Sequence, residues 1–99
     1  MTYTIKLTPD AKIDIKDAIE FYNLKKKELG TQLLFHIDQS ISQLHKNPFL
    51  FQRGYRGIRK VPVAKFSFSI HYFTEENTVV IIAVLHNSRN PQIWKSRTK

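Results

Sequence analysis

From Tyr3 the apolar positions first alternate and then change period. Tyr3, Ile5 and Leu7 alternate with Thr4 and Lys6, as in a strand with one buried face. Ala11, Ile15, Ala18, Ile19 and Tyr22 then recur at helical spacing. Thr8-Pro9-Asp10 marks the change. Threonine can cap a helix, proline suits its first position, and aspartate complements its positive end. Lys25-Lys26-Lys27 suits the negative end, and Gly30 is the expected stop. A second stripe, Leu33, Leu34, Ile37, Ile41 and Leu44, predicts another helix, closed by Asn47-Pro48. The short link between them implies an antiparallel helical hairpin.

The stretch NPFLFQRGYRG is irregular but apolar, with Phe49, Leu50, Phe51 and Tyr55. Such residues either fold back onto the core or meet a partner. Ile58 to Val63 predicts a strand, and Pro62 marks it as an edge. Phe66, Phe68, Ile70 and Tyr72 alternate with Ser67, Ser69 and His71, giving one core face and one polar face. Glu75-Glu76-Asn77 forms a turn, and Thr78 to Leu85 is apolar on both faces, the mark of a central strand. The expected fold is a single α+β domain over residues 1–99, in the order β-α-α-β-β-β. Its helical hairpin packs on one face of a small, mainly antiparallel sheet. The pattern does not say where the first strand joins.

Composition narrows the chemistry. The chain has 99 residues and no cysteine, so disulfides and thiolate metal sites are excluded. No apolar run is long enough to span a membrane, and the start lacks the pattern of a signal peptide. A cytoplasmic protein without a membrane partner is expected. The net charge of +8 is lopsided. Residues 1–52 carry seven lysines against six carboxylates; residues 53–99 carry nine lysines and arginines against Glu75 and Glu76. All five arginines lie in the second half. Such a field attracts nucleic acid, an acidic protein or an acidic membrane surface.

No Gly-rich phosphate loop, G-x-S-x-G elbow or metal-type histidine spacing is present, so no metal or cofactor is expected. His36 and His45 fall off the core stripe of the second helix. If the last three strands form a meander, His86, Arg89, His71 and Arg59 could converge on one side of the sheet. A histidine that exchanges protons near neutrality, beside arginines that stabilise phosphate charge, suits phosphodiester chemistry on RNA. The alternative is that His86 caps a strand and the arginines only bind. Trp94 either stacks on a base or partner, or pins the C-terminal segment to the core.

Four stretches in this order, YTIKLTPDAKIDIKDAIEFY, SQLHKNP, GIRKVPVAKFSFSIHYF and VVIIAVLHNSRNPQIWKSR, resemble the RelE/ParE superfamily of type II toxin–antitoxin toxins. The resemblance runs from Tyr3 to about Arg97 and is greatest to the ParE branch. His86, Arg89, Pro91 and Trp94 match that branch's ending, while Asn90 stands where an acid is common. The resemblance implies a toxin that inhibits DNA gyrase and is neutralised by a cognate antitoxin in a hetero-oligomer. The RelE branch implies instead a ribosome-dependent endoribonuclease acting on messenger RNA through His86, Arg59, Arg89 and His71. Against it, the chain has no tyrosine after Tyr72, and Arg53, Arg56, Arg59 and Lys60 replace a common lysine pair. Under the ParE reading, target contacts fall on Arg89, Trp94, Lys95 and Arg97. Antitoxin contacts fall on Phe49, Phe51, Arg59, Ile13 and Leu24, with Phe35 similarly placed on the second helix.

Overall fold

A computed structural model describes residues 2–98. Strand β1 (Thr4–Leu7) leads into helix α1 (Pro9–Lys25) and helix α2 (Leu29–Lys46). A 3-10 turn (Tyr55–Gly57) precedes β2 (Arg59–Val63), β3 (Phe68–Glu75) and β4 (Thr78–His86). A short helix, α3 (Gln92–Lys95), follows. The sheet order is β1-β4-β3-β2, with β1 parallel to β4 and the other pairs antiparallel. The expected β-α-α-β-β-β order is therefore present, and the first strand joins beside the last.

The helix start forms as the sequence predicts. Thr8 accepts a hydrogen bond from the Ala11 amide at 3.2 Å, with Pro9 in the first turn. The stop differs. Gly30 is not the end of α1 but lies inside α2, buried against α1. The reversal is made by Glu28, which takes the left-handed conformation at φ 66°. Glycine is needed at 30 because of the crossing: an added Cβ would lie 2.2 Å from the Ile19 carbonyl oxygen. The Gly30 amide donates to Asn23 Oδ1 at 2.8 Å, pinning the hairpin at its narrowest point.

The hairpin covers one face of the sheet. Leu33, Ile37 and Leu44 of α2 pack with Ala11 and Ala18 of α1 on Val61, Ile70, Tyr72, Val79, Ile81 and Val84. Leu34, expected in the core stripe, is exposed, and buried Ser40 takes a place against the sheet instead. Ser40 Oγ donates to the Pro62 carbonyl at 3.0 Å, tying α2 to the edge strand β2. Proline is tolerated there because an edge needs one donor fewer. Phe66 lies in the turn before β3 rather than in the strand.

The other face of the sheet is covered as well. Ser69 and His71 were expected on a polar, open face, yet both are buried. A second apolar cluster of Ile58, Ile82, Ala83 and Leu85 is packed by Ile93 and Trp94, so the C-terminal segment supplies a lid. We expect Gly30→Ala to destabilise the fold by about 1–3 kcal/mol through overpacking. That corresponds to a melting temperature lower by about 5–20 °C for a domain this small. Calorimetry checks this, and an unchanged melting temperature would mean that the hairpin is not so closely packed.

Candidate functional site

Three places gather the charged and aromatic residues singled out above, and they are separate. The first is the end of β4. His86 pairs with Phe68 across the sheet, and the two rings lie 5.4 Å apart. The Ser88 amide donates to His86 Nδ1 at 3.1 Å. That bond makes Nδ1 an acceptor and leaves the proton of a neutral ring on Nε2. His86 and Arg89 line a cavity of about 810 Å³ between α1 and β4, with Lys25, Asp17, Tyr22 and Phe68.

The second place is the hairpin side of β2. Arg59 pairs with Tyr72, donates from Nη1 to the Phe51 carbonyl at 2.7 Å, and lies over the Phe49 ring at 5.1 Å. Tyr72 beneath it donates to the Pro48 carbonyl at 2.6 Å, and burial pushes its phenol up to about 12. Phe51 packs partly against the core, whereas Phe49 and Leu50 are exposed. The irregular stretch is thus partly folded back onto the core and partly exposed.

The third place is the opposite face of β3. His71 alternates with Ile70 and Tyr72, so it points away from the hairpin. Trp94 stacks on it at 4.6 Å with an interplanar angle of 26°. Only 4% of His71 remains exposed, and neither ring nitrogen has a hydrogen-bond partner among the described residues. Desolvation, then the charges of Lys60 and Arg97, lower its pKa from 6.5 to about 4. A neutral imidazole is the form compatible with that environment.

His86, Arg59 and His71 therefore do not converge. His86 pairs with Phe68 and Arg59 with Tyr72, four positions apart on β3, or about 13 Å at the usual strand rise. His71 is on the other face. Arg89 accompanies His86 alone.

Arg97 is committed internally. Its Nη1 donates to Asp14 Oδ2 at 2.6 Å and to the Ile82 carbonyl at 3.0 Å, and its Nη2 donates to Asp14 Oδ1 at 3.2 Å. The hydrogen bond to Asp14 raises the Arg97 pKa. Asp14 also accepts from the Val84 amide at 3.1 Å. Asp14 was not singled out from the sequence, because a lone acid within a helix carries no signal of its partners. The ring cluster around Tyr55 was also missed. Lys95 Nζ lies 5.0 Å from its centroid, and the Trp94 ring is edge-on at 6.0 Å. Clustered cations around Tyr55 between positions 53 and 60 were the available hint.

Among the described residues, no group of histidines and carboxylates could hold a metal, and no helix is long and apolar enough to cross a membrane.

The family model of the ParE toxin of the type II toxin–antitoxin system parDE matches residues 5–91. No curated relative matches in sequence. Several solved structures share the fold, three of which illustrate it. The chromosomal ParDE toxin–antitoxin system from P. aeruginosa aligns with a TM-score of 0.77 at 16% identity, covering 86% of this chain and 96% of that one. The intact E. coli RelBE toxin–antitoxin complex aligns at 0.64 and 15% identity, covering 88% and 99%. The RelBE2 complex from Mycobacterium tuberculosis aligns at 0.61 and 17% identity, covering 90% and 95%.

The buried histidine makes a pH prediction. The unfolded chain protonates His71 near 6.5 and the folded chain only near 4. In that window the unfolded state binds more protons, so this contribution is complete above pH 6.5 and shrinks as pH falls towards 4. We expect the melting temperature of His71→Phe to fall less than that of the wild type between pH 6.5 and 4.5. Parallel curves for the two proteins would contradict it.

Proposed function

The chain belongs to the ParE toxin family of type II toxin–antitoxin systems, and from that premise we propose that it acts by binding, as an inhibitor of DNA gyrase restrained by a cognate antitoxin. The observation that carries a binding mechanism is the scatter of His86, Arg59 and His71 over two faces of the sheet. Acid–base catalysis needs donor and acceptor within reach of one substrate atom. Recognition needs only a presented surface. Arg89, Trp94 and Lys95 are the proposed target contacts, drawn from the segment after β4. Arg97 serves them as a positioning residue by anchoring that segment to Asp14.

The proposed antitoxin is a segment both acidic and apolar that orders on binding. On α1, Ile13 and Leu24 lie on one side of the helix, about 16 Å apart along its axis. Leu24 is 89% exposed, more than any other large apolar side chain described. Phe49 and Arg59 offer an aromatic–cation pair near the other end of the sheet. The cavity beside α1 joins an apolar floor of Tyr22, Phe68 and Val84 to Lys25 and Arg89. An occupant there would cover Arg89 and so compete with the target.

Two outcomes are expected. The purified protein inhibits gyrase supercoiling, and Arg89→Glu with Lys95→Glu raises the concentration required by about tenfold or more, the scale of one good contact. His86→Ala stays close to wild type. Pulse labelling of a bacterial host should show DNA synthesis failing first; early loss of protein synthesis with cut messenger RNA would replace this proposal with the endoribonuclease. For the antitoxin, Leu24→Asp should leave the melting temperature unchanged and weaken binding about tenfold, measured by calorimetric titration. Unaltered affinity would remove this side of α1 from the interface.

A further inference from the structure

The 3-10 turn before β2 is unusual in its backbone and in what it displays. Arg56 is left-handed at φ 50° and ψ 34°, followed by Gly57 at φ 78°. A left-handed arginine is unfavourable and persists only where its surroundings fix it. Here the Gly54 amide donates to the Ile58 carbonyl at 2.8 Å, and the Ile58 amide returns to the Tyr55 carbonyl at 2.9 Å. The turn holds the Tyr55 ring outward, 44% exposed. Arg56 Cζ lies 5.6 Å from the ring centroid, Lys95 Nζ lies 5.0 Å away, and Trp94 supports it edge-on.

Arg56 joins this ring to a second cavity, of about 660 Å³, whose wall it also lines. Lys6, Arg53, Arg56 and Arg59 line it, and Glu75 is the carboxylate on its wall. Arg97 also reaches it but is neutralised by Asp14. A cleft dominated by cations, with an exposed aromatic ring at its side, combines the two features of a single-strand site.

We propose that this surface binds single-stranded nucleic acid, with one base stacked on Tyr55 and the adjoining phosphates in the cleft of Lys6, Arg53, Arg56 and Arg59. The long stem of Lys95 lets its charge move from the ring to a phosphate as the base arrives. A base-paired strand fits poorly, because its bases are stacked on one another and show only their edges. Nothing in the site reads base identity, so recognition is tolerant of sequence. The proposal does not depend on gyrase being the target. DNA and RNA share the stacking and phosphate chemistry and are separated by the test.

The purified protein is titrated with fluorescein-labelled oligothymidylate, oligouridylate and a duplex of equal length, followed by anisotropy. Trp94, the one tryptophan of the chain, supplies a second signal through its contact with Tyr55. Both single strands, or one of them, should bind more tightly than the duplex and quench Trp94; a preference for one identifies the source. Tyr55→Ala should weaken binding about tenfold or more, with Tyr55→Phe close to wild type. Lys95→Glu should weaken it more than Lys27→Glu, the same charge change at the distant hairpin link. Equal affinity for the duplex, undiminished binding by Tyr55→Ala, or equal losses for Lys27→Glu and Lys95→Glu would overturn the proposal. Should Tyr55→Ala fail to fold, the comparison of the two lysine variants still decides it.

Discussion

The central strand sets the terms for everything around it. β4 is apolar on both faces and extends beyond its parallel neighbour: β1 pairs only with Thr78 to Ile81, leaving Ile82 to His86 with one open edge. Two faces and an edge must therefore be kept from water. The hairpin covers one face, and the segment carrying Ile93 and Trp94 covers the other. At the edge, Asp14 accepts from the Val84 amide while Arg97 donates to the Ile82 carbonyl. One carboxylate thus joins α1, the exposed edge and the C-terminal segment. Asp14 and Arg97 are both largely buried, so removing either partner would leave an uncompensated charge in a poorly solvated place.

This arrangement fixes which cations can serve recognition. Arg97 is spent on the fold, and Lys60 is the cross-strand partner of the buried neutral His71. Arg89 stands at the end of β4, while Arg53, Arg56, Arg59 and Lys95 lie around the turn before β2. The positive half of the sequence is therefore not one patch. Its cations fall into two groups, one beside His86 and one around the turn before β2, each with its own aromatic residues. Two partners of different chemistry can use such a surface, and one can exclude the other only where their footprints meet.

The fold was legible where a single local cause fixes an element. Thr8-Pro9-Asp10 acts within one turn of helix, Asn47-Pro48 ends another, and the two-sided apolar run of β4 demands a central position. What escaped depends on pairs of distant residues. Gly30 looks like a stop in sequence, but its lack of a side chain serves the crossing with Ile19. Ser69 and His71 look solvent-facing because their partners come from much later in the chain, Asn87 for Ser69 and Trp94 for His71. The candidate site was less legible for the same reason. Spacing placed His86, Arg59 and His71 on neighbouring strands, but strand register and the face of each side chain decide whether neighbours meet. A slip of one residue along a strand changes the face.

The Trp94–His71 stack links these points to function. An imidazole buried without a hydrogen-bond partner among the described residues is costly when charged, and the charges of Lys60 and Arg97 disfavour its protonation further. It is held neutral and serves as a flat surface on which Trp94 rests. Trp94 in turn supports Tyr55, and Tyr55 is flanked by Lys95 from the same short helix. His71, one of the two strand histidines weighed for proton transfer, is thus the buried end of a stack, and the outer end is the exposed aromatic ring. Chemistry at His71 would require the lid to leave, exposing Ile58, Ile82 and Leu85 with it. Binding at Tyr55 requires no such opening, so on this face of the sheet the exposed ring, not the buried imidazole, is the group within reach of a partner.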